Sequence, residues 1–84
     1  MSTVAERIRM VREAHELSQS AFATRIGISV RSVHTLEYRA TSASVDVVAA
    51  VAIQWPEYSY WLLTGKVNSK VGQTKPKTIS VRNV

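Results

Sequence analysis

The sequence predicts an all-α domain of five short helices followed by a basic C-terminal tail. Three observations carry that prediction. Apolar residues recur at helical spacing before residue 65, capping residues stand at Thr3, Ser18, Ser29 and Ser44, and Gly27 and Gly65 stand where two of the helices would have to stop. The resulting organisation is a domain over residues 1–65 and a tail over residues 66–84. A single domain of this size buries only about 60% of the surface of its unfolded chain, so its stability should be modest.

Thr3, with Glu6 three residues later, forms a capping-box pattern that starts the first helix at Val4. Val4, Ile8, Val11 and His15 then fall on one stripe, with His15 at its edge near the helix end, where it is expected to play a structural part. Leu17 closes this helix and Ser18 caps a second, Gln19–Ile26, which would bury Phe22, Ala23 and Ile26. Gly27 suits the left-handed residue that ends it. Ser29 caps a third helix whose inward residues are Val33 and Leu36.

Residues 39–44 read as a polar loop, and Ser44 with Asp46 starts a fourth helix, Val45–Gln54. That stretch is so rich in Val, Ala and Ile that composition alone fits a buried strand as well as a buried helix. Its length, its alanines and its cap favour the helix. Trp55 before Pro56 marks a boundary, and a fifth helix is expected over residues 56–64, ending at Gly65. In it Tyr58, Trp61 and Leu62 share one face while Tyr60 and Leu63 lie round the side. A short helix that is apolar on two sides usually has two neighbours; with the core as one and a second copy of the chain as the other, Tyr58, Tyr60, Trp61 and Leu63 are the candidates for a homodimer contact, and the alternative is that all five apolar residues fill a small core.

The arrangement over residues 19–37 is two helices joined by a tight turn, the second free to enter a DNA major groove. Gln19, Ala23, Gly27, Val33 and Leu36 coincide in spacing with the Cro and lambda-repressor family of helix-turn-helix proteins, also called the xenobiotic-response-element type. The chain resembles that family over residues 4–65. The resemblance implies a five-helix lambda-repressor-like fold, binding to double-stranded DNA, and pairing through the fifth helix. The pattern departs after Glu37, where many relatives carry a glycine-bearing turn and this chain has Tyr38-Arg39-Ala40, so the end of the third helix is left open.

With Val33 and Leu36 inward, the third helix would offer Val30, Arg31, Ser32, His34 and Thr35 to base edges. Arg31 is the leading candidate, because its fork can bond guanine O6 and N7 together, while Val30 and the methyl of Thr35 can pack on a thymine methyl. Gln19 resembles the glutamine that family members set against the phosphate backbone. Ser29, Arg25, Arg39 and Thr41 are further phosphate candidates, with Thr24 beside them. One such helix reads only a few base pairs, which predicts a two-fold dimer on a near-palindromic operator, repressing by promoter occlusion. At this length the chain looks like a small Cro-type phage or prophage regulator.

Charge locates the rest. The formal net charge is +5, and because arginines and acids balance over residues 1–65, the whole excess falls on Lys66, Lys70, Lys75, Lys77 and Arg82. Such a tail could be a phosphate-binding arm, an edge strand exchanged in the dimer through the alternating residues 78–82, a partner-binding segment, or a flexible end. The partner-binding option makes an antitoxin-type module, autoregulating through the same motif, the alternative function.

Other classes find little support. Cysteine is absent, which removes disulfides and thiolate metal sites. With two histidines and one aspartate, no phosphate loop and no nucleophile elbow, neither an enzyme nor a metal or cofactor site is expected. No basic, apolar leader follows Met1, and the longest apolar run, residues 47–53, is too short to cross a bilayer, so a cytoplasmic, nucleoid-associated location is expected.

Overall fold

Helix α1 (Val4–Ala14) opens on a complete capping box in the computed structural model, which describes residues 2–40 and 43–77. The Thr3 hydroxyl accepts from the Glu6 amide at 3.1 Å, and the Glu6 carboxylate accepts from the Thr3 amide at 2.7 Å. The helix closes without glycine. Glu16 takes the left-handed conformation at φ 55°, and the Leu17 amide reaches back to the Arg12 carbonyl at 3.1 Å.

Helices α2 (Gln19–Ile26) and α3 (Val30–Arg39) have their expected bounds and caps. Ser18 accepts from the Ala21 amide at 3.0 Å. Gly27 sits at φ 77°, and its amide and that of Ile28 both bond the Ala23 carbonyl, so the chain reverses within two residues. Phe22, Ala23, Ile26, Val33 and Leu36 are all buried, and Ala23 gives the two helices their close approach. The open question of where α3 ends is answered by Ala40, which adopts φ 55° in place of a glycine. An L-residue there costs about 1–2 kcal/mol. The Thr3 hydroxyl, donating to the Ala40 carbonyl at 2.7 Å, helps hold the turn and ties the start of α1 to the end of α3.

Helix α4 (Val45–Gln54) is capped by Ser44, as expected, but it is not the fully buried rod its composition suggests. Val51 lies in the core and Val47, Val48 and Ala50 pack beside it, while Val45 and Ile53 are more than three-quarters exposed. The domain is too small to cover both sides of a ten-residue helix. The expected fifth helix divides into a 3₁₀ turn at Pro56–Tyr58 and helix α5 (Ser59–Thr64), closed by Gly65 at φ 76°. Pro56 starts the turn and the Tyr58 amide bonds the Trp55 carbonyl at 3.0 Å, which tightens the backbone to a three-residue repeat before α5 can begin.

The core joins Ile8 and Val11 of α1 to the α2–α3 pair and to Val51, Trp55, Tyr58, Trp61 and Leu62. Trp55 is a junction within it, its ring stacked with that of Phe22 at 5.8 Å and with that of His15 at 4.9 Å between centroids. The His15 ring also sits in hydrogen-bond contact with the Tyr58 hydroxyl at 3.0 Å. Burial, and secondarily the charge of Glu57, pushes the Tyr58 phenol above its ordinary pKa.

Two arginines that look like surface charges in the sequence are structural. Arg7 is buried, and its Nε donates to the Leu62 carbonyl at 2.9 Å, supplying a cation to the negative end of α5. Arg12 grips Glu37 through Nε at 2.6 Å and Nη2 at 3.0 Å.

Residues 66–77, for which a flexible end is one of the expectations, are folded. Asn68 and Gln73 form an antiparallel bridge around a 3₁₀ turn at Ser69–Val71. The Gln73 side chain accepts from the Tyr60 amide at 2.9 Å and donates to the Pro56 carbonyl at 3.1 Å. The Thr74 amide bonds the Glu57 carbonyl at 2.8 Å, and Pro76 is buried. Composition misled here because a few side-chain bonds to the exposed backbone at the start of α5 suffice to dock a polar segment. The possible strand at residues 78–82 lies outside the described residues. Among the described residues no helix is long and apolar enough to cross a membrane.

Candidate nucleic-acid interface

Helix α3 turns two of its residues into the core and most of the rest to solvent. Val33 is 2% and Leu36 7% exposed, whereas Val30, Arg31, Ser32, His34 and Thr35 are all exposed. Five candidate base-reading residues therefore share one free surface. Arg31 and Arg39 project there together, and among the described residues no carboxylate pairs with either. A guanidinium left to solvent on both sides of a helix face keeps all its donors for a ligand.

The start of α3 is fixed by Ser29. Its hydroxyl accepts from the Ser32 amide at 3.1 Å and shares a hydrogen bond with the Ser32 hydroxyl at 2.9 Å. Ser29 is thereby committed to the cap, and Ser32 is partly committed with it. Both remain exposed, so a phosphate near this end would compete for or share those hydroxyls.

Two open concavities flank the helix. One is lined by Ser29, Arg31, Ser32, Thr35, Arg39 and Ser44, which brings three of the base-reading candidates together with the phosphate candidates Ser29 and Arg39. The other is lined by Gln19, His34, Glu37 and Tyr38 with Arg9 and Arg12. Thr41 lies outside the described residues. Arg25 is placed elsewhere: its guanidinium carbon stands 5.7 Å from the Trp55 ring centroid, on the side of the molecule where α2 meets α4. A cation–π contact accounts for its position without a phosphate.

Gln19 has a partner that the sequence did not disclose. Its amide nitrogen donates to the Glu37 Oε1 at 2.9 Å, in the same cluster as the Arg12 fork, and Arg9 approaches that carboxylate at 3.8 Å. The Glu37 side chain is only 5% exposed. Burial pushes its carboxyl up, but the hydrogen bonds of Arg12 and Gln19, with the charges of Arg12 and Arg9, outweigh burial and hold its pKa below the ordinary value. Glu37 thus stays ionised, anchors α3 to α1, and orients Gln19. Only the acidic residue itself was visible in the sequence, because its three partners lie 18 to 28 positions away.

On the α5 side, Tyr58 and Trp61 are spent within the chain at 7% and 4% exposure. They belong to the core, so of the four residues expected at a contact between copies only Tyr60 and Leu63 reach the surface.

The model of a protein family described as helix-turn-helix, the Cro and lambda-repressor type, matches residues 8–53. That span runs from the middle of α1 to the end of α4 and contains the whole α2–turn–α3 unit. Comparison with curated proteins gives no match. Capped helices, a left-handed glycine between them, an outward face whose arginines meet no carboxylate among the described residues, and the family match agree: the chain belongs to the Cro/lambda-repressor-like helix-turn-helix family and is a DNA-binding transcriptional regulator.

Proposed function

We propose that the protein is a Cro-type repressor of phage or prophage origin that binds a near-palindromic operator as a homodimer and occludes a promoter. The observation that carries this reading is the outward row of Arg31, His34 and Thr35, with Val30 and Ser32 at its edge, on a helix whose opposite face is locked into the core. Val30, Arg31, Ser32, His34 and Thr35 read bases, and Arg31 supplies the strongest discrimination. Gln19, Ser29 and Arg39 hold phosphates beside them. Tyr60 and Leu63, 41% and 63% exposed, are the surface through which two copies pair. The protein works in the cytoplasm, where its operator is.

Selecting bound duplexes from a random pool tests the reading. Recovered sites should contain two inverted half-sites about 10 base pairs apart, centre to centre, or a multiple of that spacing. A pool that converges on an unpaired site, or on nothing, would count against it.

The antitoxin-type alternative gains support from one feature. Residues 66–77 dock beside α5 with Val67, Val71, Lys66 and Lys70 all exposed, a mixed apolar and basic surface away from the core. Under that reading, removing residues 66–84 abolishes capture of a partner protein and leaves operator binding intact.

A further inference from the structure

Helix α4 keeps an apolar stripe that no other described part of the chain covers. Val45, Ala49 and Ile53 follow one another at four-residue intervals and so form one line along the helix. All three are exposed, Val45 at 83% and Ile53 at 79%. Two charges border this line on its α2 side. Asp46 lies in the first turn of α4, while Arg25, reaching from α2, stands over the Trp55 ring just past the last turn. Both line one open concavity with Ala49 and Ile53, both are exposed, and among the described residues neither takes part in an ion pair. The face thus has a carboxylate at one end, a guanidinium at the other, and an apolar line between them with its smallest residue, Ala49, at the middle.

We propose that this face pairs with the same face of a second copy, the two α4 helices running antiparallel about a two-fold axis at Ala49. Reversal about that axis sets Val45 of each copy against Ile53 of the other. It also sets Asp46 of each copy against Arg25 of the other, so that both free charges are matched at once. A parallel pair would bring like charges together instead. Ala49 stands at the crossing, where a small side chain lets two helices come close. The charges identify the occupant: a face with one sign at each end complements itself when reversed, whereas a partner of uniform charge would meet a like charge at one end. The contact uses none of the residues of the Tyr60 and Leu63 surface and does not depend on what α3 reads. A face one helix wide buries less than the roughly 1,200 Å² of a standard stable complex, so pairing is weak in dilute solution and grows with protein concentration.

The test is disulfide trapping. The chain has no cysteine, so Ala49→Cys places a single thiol at the axis, within reach of its own counterpart. Oxidation of the full chain at high protein concentration, without DNA, should join Ala49→Cys into a covalent dimer about tenfold faster than Ser20→Cys, whose site is exposed but off the face. Adding Arg25→Asp or Asp46→Arg to Ala49→Cys should slow the joining about tenfold, because two ion pairs become two like-charge contacts. Each of these variants carries one sign at both ends, so mixing them in equal amounts should restore the rate and give chiefly the mixed dimer, identified by its mass. Ala49→Cys joining no faster than Ser20→Cys overturns the pairing and leaves the face to another kind of partner. Charge variants that keep the helical circular dichroism of the parent yet join at its rate, or that fail to recover on mixing, overturn the reversed arrangement.

Discussion

Helices α1 and α3 each carry arginines at close intervals, and they use them in opposite ways. Arg7 and Arg12 of α1 point inward, one onto the carbonyl end of α5 and the other onto the buried carboxylate of α3. Arg31 and Arg39 of α3 stand in solvent with no described carboxylate beside them. The same side chain is a bolt in one helix and a free donor in the other. What separates them is whether an oxygen acceptor from another element lies within reach, because a buried guanidinium without one would be prohibitively costly.

Substitutions can break or sharpen this contrast. Arg12→Met should have the largest effect, lowering stability by about 3 kcal/mol in chemical denaturation, since it removes the two-pronged partner of the buried Glu37 carboxylate and leaves it only the Gln19 amide and the more distant Arg9 charge. The same pair sets an acid dependence. Glu37 has a folded pKa below its unfolded one, so its contribution is complete above the ordinary glutamate range of about 4.3 and is lost as pH falls through the lower, folded value. The wild type should therefore weaken on acidification more than Arg12→Met does; parallel pH profiles would deny the pair its role.

Arg7→Met comes next. It strips the Leu62 carbonyl of its donor and should cost about 1–3 kcal/mol, with no change in base preference once the loss of folded protein is accounted for. Arg31→Ala should behave in the reverse manner. Its melting temperature should match the wild type, while discrimination at one base pair of each half-site falls by about 1–3 kcal/mol in a binding-site library. An unchanged preference would show that α3 reads through other residues. The smallest effect belongs to Ala40→Gly, which relieves the left-handed strain at φ 55° but loosens the unfolded chain, for a net gain of about 0.5 kcal/mol in denaturant titration.

The features legible in the sequence are those whose cause is local. Thr3 with Glu6, Ser18, Ser29, Ser44 and Gly27 act on backbone groups within a few positions, and each does in the structure what its spacing announces. Phe22, Ala23, Ile26, Val33 and Leu36 are fixed by helical period in the same way. Arg7, Glu37 and Gln73 were opaque because their partners are remote: Leu62 lies 55 residues from Arg7. Period also overreached in α4, where it could not say that the domain would run out of neighbours before Val45 and Ile53 were covered. For the candidate site, the free face of α3 follows from its inward residues. The lock on Gln19, the cation–π seat of Arg25 and the exposure of Tyr38 needed the folded arrangement.

The bond from the Thr3 hydroxyl to the Ala40 carbonyl, at one end of α3, has a thermodynamic consequence when joined with the Arg12 grip on Glu37. If α3 is the reading helix, its two straps to α1 mean that it arrives at DNA with its orientation already set. Binding then requires little ordering of the protein, and the ordering cost that a mobile reader would pay on docking is absent. The heat capacity of association should accordingly reflect the contact surface alone, without the additional term that marks coupled folding.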